Sequence, residues 1–160
     1  TTKEPDLSFV NRVDSMDSDA DVVVVFGGTN DFGHGDAKLG TFESRDPYTF
    51  YGAMHVLCEK LINRFPNADI LFMTPLHRCS EDEVSKENGL PEETNLAGYV
   101  SIIREVAEFY GLPVLDLFST SGLQPKVDII KETYMPDGLH PSDAGALRIA
   151  LRLMGFLQTL

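Results

Sequence analysis

With 160 residues and 42% hydrophobic side chains, this chain is long enough for one hydrophobic core and too apolar to be a disordered segment. Its formal net charge of −12, spread along the sequence, repels phosphate backbones and anionic lipid, which sets aside nucleic-acid binding and a membrane-surface role. No apolar run approaches the ~20 residues of a membrane span.

The chain opens on Thr1 rather than Met. It is read as one domain over residues 1–160, expected to be incomplete at its amino terminus. No signal peptide is visible, which leaves the compartment open, the cytoplasm slightly preferred and secretion still possible. Oligomeric state is also open. Cys58 and Cys79 have no metal-type spacing. Cys58 falls within a helical pattern as a buried thiol, and a disulfide is not excluded by the sequence.

Phe9, Val10, Val13 and Met16 recur at helical spacing and predict the end of an amphipathic helix over ~7–17. Val22 to Phe26 is a β-branched run, apolar on both faces, as central parallel strands are. Residues 32–45 are polar and glycine-rich and read as a loop over a site. Asp46-Pro47 is placed to start a helix whose stripe, Phe50, Ala53, Met54, Leu57 and Leu61, runs to about Phe65.

Asp69 to Thr74 is the next strand, followed by a charged loop over ~75–93. Leu96, Val100, Ile103, Ala107 and Tyr110 step by four, three, four and three, a strong helix pattern closed by Gly111. Pro113 to Leu117 is a short strand and 118–136 a third loop. Pro141-Ser142 opens a last helix, with Ala144, Leu147, Leu151 and Met154 expected to face inward. Strands alternating with helices imply a parallel sheet with right-handed crossovers, and loops that follow strands gather at its carboxyl edge, where ligands bind.

Two polar groups fall at that edge. In Phe26-Gly27-Gly28-Thr29-Asn30-Asp31, a strand runs into a glycine turn followed by an amide and a carboxylate. An Asn amide held there suits a developing oxyanion, though Gly, Asn and Asp are also ordinary turn residues. In Asp137-Gly138-Leu139-His140-Pro141, a carboxylate three residues before a histidine can accept from one ring nitrogen and leave the other as a base. Alone, that spacing also describes a helix-start Asp beside a surface His.

Together the two stretches carry a resemblance. Gly28-Thr29-Asn30-Asp31 resembles the Gly-x-Asn-Asp block of the SGNH (GDSL-type) hydrolase superfamily, and Asp137-Gly138-Leu139-His140 resembles its Asp-x-x-His block. The similarity extends from about Asp6 to Leu160. It implies a three-layer α/β/α, flavodoxin-like fold with a parallel sheet, and hydrolysis of small-molecule esters, acylated sugars or lipids without metal or cofactor. It implies His140 as general base, Asp137 as its orienting carboxylate and Asn30 as oxyanion donor. Gly28 would allow close approach, and Asp31 would hold the loop. Phe32, His34 and Arg78 are placed in the vicinity of substrate, with a loop salt bridge as the competing role for Arg78. His34 has no closed zinc or calcium spacing around it, so no metal is expected.

The superfamily's Gly-Asp-Ser block, which supplies the nucleophile, and its second-block glycine are absent. Ser15 sits in a helical pattern, Ser119 and Ser121 lack a strand–turn–helix elbow, and Ser142 reads as a helix start. The first strand is therefore expected upstream of Thr1. In the order 2-1-3-4-5 that strand is central, so its loss should leave neighbours unpaired ~4.8 Å to either side. The alternative is a binding domain that has lost its nucleophile. A third reading, a metal-dependent phosphoesterase using the Asp and His residues, stands behind both.

Overall fold

The computed structural model describes residues 8–34, 38–83 and 94–160. Its centre is a parallel sheet of three strands in the order β1-β2-β3: β1 Val22–Phe26, β2 Asp69–Met73 and β3 Val114–Leu115. Val22 lies opposite Asp69 and Phe26 opposite Met73, and Met73 in turn lies opposite Leu115. Seven helices complete the described residues: α1 Phe9–Arg12, α2 Thr29–His34, α3 Phe50–Arg64, α4 Leu96–Phe109, α5 Leu117–Thr120, α6 Asp128–Tyr134 and α7 Asp143–Leu157. Among them none is long and apolar enough to cross a membrane.

The alternation of β2 divides the core. Ile70 and Phe72 pack with Val10, Leu57, Leu61, Ile103 and Val106 of α1, α3 and α4. Leu71 and Met73 point the other way, to Leu117, Leu123, Met135 and Ile149. Helices on both faces of a parallel sheet make the three-layer α/β/α arrangement. Cys58 is fully buried in the first layer, and burial pushes its thiol up to about 12. Cys79 is exposed, and both thiols are free.

Local chemistry sets the element ends. The Thr49 hydroxyl caps α3 by accepting the Gly52 N–H at 3.2 Å, Asn95 caps α4 from Gly98, and Ser142 caps α7 from Gly145. The helix expected from Asp46-Pro47 starts later because Asp46 makes a turn of its own. Its side chain accepts the Tyr48 N–H and its carbonyl accepts the Thr49 N–H. The strand expected over 113–117 stops at Leu115 because the Asp116 carboxylate caps α5, accepting from Ser119 at 3.2 Å.

Other expectations are corrected. The helix predicted over ~7–17 is one short turn, α1, followed by a 3-10 turn over Val13–Ser15; Leu7 lies outside the described residues. The loop predicted over 32–45 begins inside α2, which starts at Thr29, and residues 35–37 lie outside the described set. The loop predicted over 118–136 contains most of α5 and all of α6. Residues 84–93 of the predicted 75–93 loop lie outside the described residues.

The largest correction concerns α7. Ala144, Leu147, Leu151 and Met154 were expected to face inward, but all are exposed, the last three at 61%, 59% and 59%. The helix buries Ile149 instead and rests Leu153, Phe156 and Leu157 on the second core. It is apolar on two sides, and the pattern cannot say which one meets the sheet. Strand β1 is bare on the same layer: Val23 is buried and Val25 packs on the first core, while Val22, Val24 and Phe26 are exposed. Nor is there a gap inside the sheet. Its three strands are contiguous, and β1 is an open edge among the described residues.

Candidate active site

The carboxyl ends of the strands bring the two sequence motifs together. A cavity of about 250 Å³ is lined by Gly27, Thr29 and Asn30 from the β1–α2 junction and by Pro75 and Leu76 after β2. Leu139, His140 and Pro141, just before α7, line it as well, and Phe26 completes it. Among these lining residues there is no serine.

The His140 side of the cavity is a self-contained turn. The Asp137 carboxylate accepts the N–H of Leu139 at 2.8 Å and that of His140 at 2.7 Å through Oδ1. Its Oδ2 lies 2.7 Å from His140 Nδ1. With Nδ1 donating to the carboxylate, Nε2 carries the lone pair and is the basic nitrogen. The His140 ring, followed by the two backbone N–H groups, holds the Asp137 carboxyl well below the usual carboxylate range. Both side chains are open to solvent, 75% exposed for His140 and 54% for Asp137. A side-chain contact this open adds little to stability, so its geometry rests on the turn.

Gly138 makes that turn possible. Its φ of +77° suits glycine, and a Cβ there would sit 2.5 Å from Cys79 Sγ. Cys79 also donates its backbone N–H to the Gly138 carbonyl at 2.9 Å, tying the turn to the loop after β2. At its other end, the Ser142 N–H donates to the Tyr134 carbonyl at 2.8 Å and the Ser142 hydroxyl to the Thr133 carbonyl at 2.9 Å.

Asn30 stands in the first turn of α2 and is exposed. Gly28, with φ +101°, turns the chain from β1 into that helix, and its carbonyl accepts the Phe32 N–H at 3.1 Å. Gly28 and Asp31 line a different, smaller cavity of about 50 Å³ on the first-core side, with Val10, Phe50 and Leu57. Phe32 is a core residue, edge-on to Tyr99 at 5.8 Å, and is not among the residues lining the larger cavity. His34 ends α2 and is exposed.

Arg78 does not line the larger cavity either. Its Nη1 lies 3.3 Å from the Thr29 carbonyl and its Nε donates to Ser80 Oγ at 3.2 Å. No pattern in the sequence announces this contact or that between Cys79 and Gly138, because they join segments 49 and 59 residues apart. The four serines weighed from the sequence have other partners. Ser15 donates to Arg12, Ser119 pairs with Arg104, Ser121 is buried and accepts from Leu123, and Ser142 caps α7.

The arrangement offers a base, an orienting carboxylate and an amide donor around one cavity at the strand ends, which are the parts an acyl-transfer site needs apart from its nucleophile. Comparison with known proteins places the fold and the family. One solved structure is 40% identical, with a TM-score of 0.85 over 98% of this chain and 74% of its own. A Lactobacillus plantarum protein is 33% identical, with a TM-score of 0.84 over 94% of this chain and 72% of its own. At the level of fold alone, a lipase/acylhydrolase from Enterococcus faecalis matches 87% of this chain and 62% of its own at 22% identity, with a TM-score of 0.55. No curated protein matches. The sequence profile of the GDSL-like lipase/acylhydrolase family covers residues 2–148, and the chain belongs to that family.

Proposed function

We propose that this protein is a serine-dependent hydrolase of carboxylic esters on small molecules, acylated sugars or lipids, working through a Ser-His-Asp triad whose serine precedes Thr1. The observation that carries the reading is that Asn30 and His140, 110 positions apart, line one cavity. The serine hydroxyl loses its proton to Nε2 of His140 and attacks the ester carbonyl. Asp137 holds the ring and stabilises the imidazolium, and the Asn30 side-chain N–H donates to the oxyanion. The imidazolium then protonates the leaving alkoxide, and water repeats the sequence on the acyl-enzyme. The 160-residue chain by itself is inactive on this account.

The bare layer supports where the missing serine enters. A strand pairing along the open edge of β1 would satisfy its backbone groups, and a chain passing there would cover Val24, Phe26 and the Leu147–Leu151–Met154 stripe. The solved relatives at 40% and 33% identity leave about a quarter of their length beyond the match, enough for such an addition.

A fluorophosphonate that reacts with activated serines tests the proposal. The full-length protein is expected to be labelled once, at a serine preceding Thr1. A second reading, a binding domain without a nucleophile, draws on the absence of serine from the cavity lining. It predicts no labelling at all.

A further inference from the structure

Beside the cavity, two adjacent residues of the loop after β2 reach its two sides. Arg78 reaches α2, and Cys79 holds the Gly138 carbonyl of the histidine turn. Their loop is pinned beneath them. Glu81, only 7% exposed, accepts the Arg78 N–H at 3.2 Å, meets His77 Nδ1 at 2.6 Å and is held by Gln124 at 3.1 Å and Lys126 at 3.0 Å. A buried carboxylate with this many donors is a fixed point and not a mobile surface charge.

From that point the Arg78 guanidinium lies across α2. Nη1 is 3.3 Å from the Thr29 carbonyl and 3.5 Å from its hydroxyl, and the guanidinium carbon is 5.4 Å from the centre of the Phe32 ring. The two hydrogen bonds are long and individually weak; the stacking and the shape of the seat supply the rest. Gly33 forms that seat. A Cβ on it would lie 2.8 Å from Nη1, so the guanidinium would have to leave its present place for any larger residue at 33.

We infer that Arg78 is a positioning residue for Asn30. Through Thr29, Phe32 and Gly33 it fixes the pitch of α2, and so the place of the Asn30 amide, relative to a histidine turn held by the very next residue. This rests on the role proposed above for Asn30. It gives Arg78 a mechanical role beside the substrate contact and the loop salt bridge that the sequence suggests.

A double-mutant cycle in the full-length protein tests it, with turnover of an activated acetyl ester as the readout. Arg78→Met is expected to lower kcat by about 10- to 100-fold, the scale of a displacement near 1 Å at a catalytic group, with KM within about twofold. In an Asn30→Ala background the same change should cost less than about twofold, because Arg78 then has nothing left to position. Gly33→Ala should reproduce the kcat loss by unseating the guanidinium while retaining the arginine. Full additivity with Asn30→Ala, or a rise in KM with kcat unchanged, would overturn the inference. If Arg78→Met fails to fold, the Gly33→Ala/Asn30→Ala cycle decides on the same criteria. If the wild-type protein neither turns over ester nor labels, the catalytic proposal fails alone, and the brace is read by hydrogen exchange. The Phe32 amide, bonded to the Gly28 carbonyl at 3.1 Å, should then exchange about tenfold faster in Arg78→Met with α4 unchanged. Equal exchange would remove the brace.

Discussion

On the His140 side of the cavity, neighbours in sequence hold one another. Asp137 accepts from the two backbone N–H groups that follow Gly138 and from the ring it orients, all within four residues. On the Asn30 side a contact distant in sequence takes part. The amide sits on a six-residue helix held by a glycine turn below and by a guanidinium from Arg78, 48 residues away. A side chain at the cavity can thus be placed by a short motif or by tertiary contacts, and the two kinds of placement should fail differently under mutation.

The largest effect should come from the local side. Asp137→Asn in the full-length protein keeps the shape of the turn but removes the acceptor that selects the His140 tautomer. Turnover of an activated ester should fall by about 10⁴, the scale known for this change in a serine triad. A loss below tenfold would break the assignment of Asp137. Asn30→Ala should cost about 10²–10³ in kcat with little change in KM, as for one oxyanion donor. An unchanged kcat would remove Asn30 from the mechanism and leave the cavity with one functional side.

Acid stability sharpens the comparison at the base of the Arg78 loop. Burial alone would raise the Glu81 carboxyl, but donors from Gln124, His77 and Lys126 outweigh it and hold the group below its ordinary value. A carboxyl lowered in the folded state stabilises above its unfolded value and loses that contribution as pH falls through the folded one. Glu81→Gln should therefore melt below the wild type at pH 7, with the gap narrowing below about pH 4. A constant gap across that range would mean that ionisation of Glu81 plays no part in holding the loop.

The smallest effect in this chain is expected on the bare stripe of α7. Leu151→Ala should change the stability of the 160-residue chain by no more than about 0.5 kcal/mol, as for an exposed position. In a longer protein whose added chain covers the stripe, the same change should cost about 2 kcal/mol or more. Denaturant melts of both lengths make the comparison. Equal small effects would mean that the stripe stays bare.

How legible these features were follows the same division. Helices α3 and α4 stand out because each buries a long periodic stripe, such as Leu96, Val100, Ile103 and Ala107, and strands β1 and β2 because each is a short continuous apolar run. Helices α2, α5 and α6 run four to seven residues, too short to build a period, and depend on contacts distant in sequence. The inward face of α7 was misassigned because Leu147, Leu151 and Met154 are as apolar as the side that packs. The Asp137–His140 turn was legible as local chemistry. Arg78 stands out after a strand end, but its seat on Gly33 does not, since nothing in the sequence pairs those positions. Phe32, beside the amide, belongs to the core with Tyr99, and its neighbours in sequence could not show that.

The central claim is that His140 is the base that activates a serine supplied from before Thr1. Turnover of an activated acetyl ester by the full-length protein, wild type against His140→Ala, tests it most directly. The account predicts that the variant, folded and melting with the wild type, loses turnover by at least about 10³. Turnover within tenfold of the wild type would contradict it.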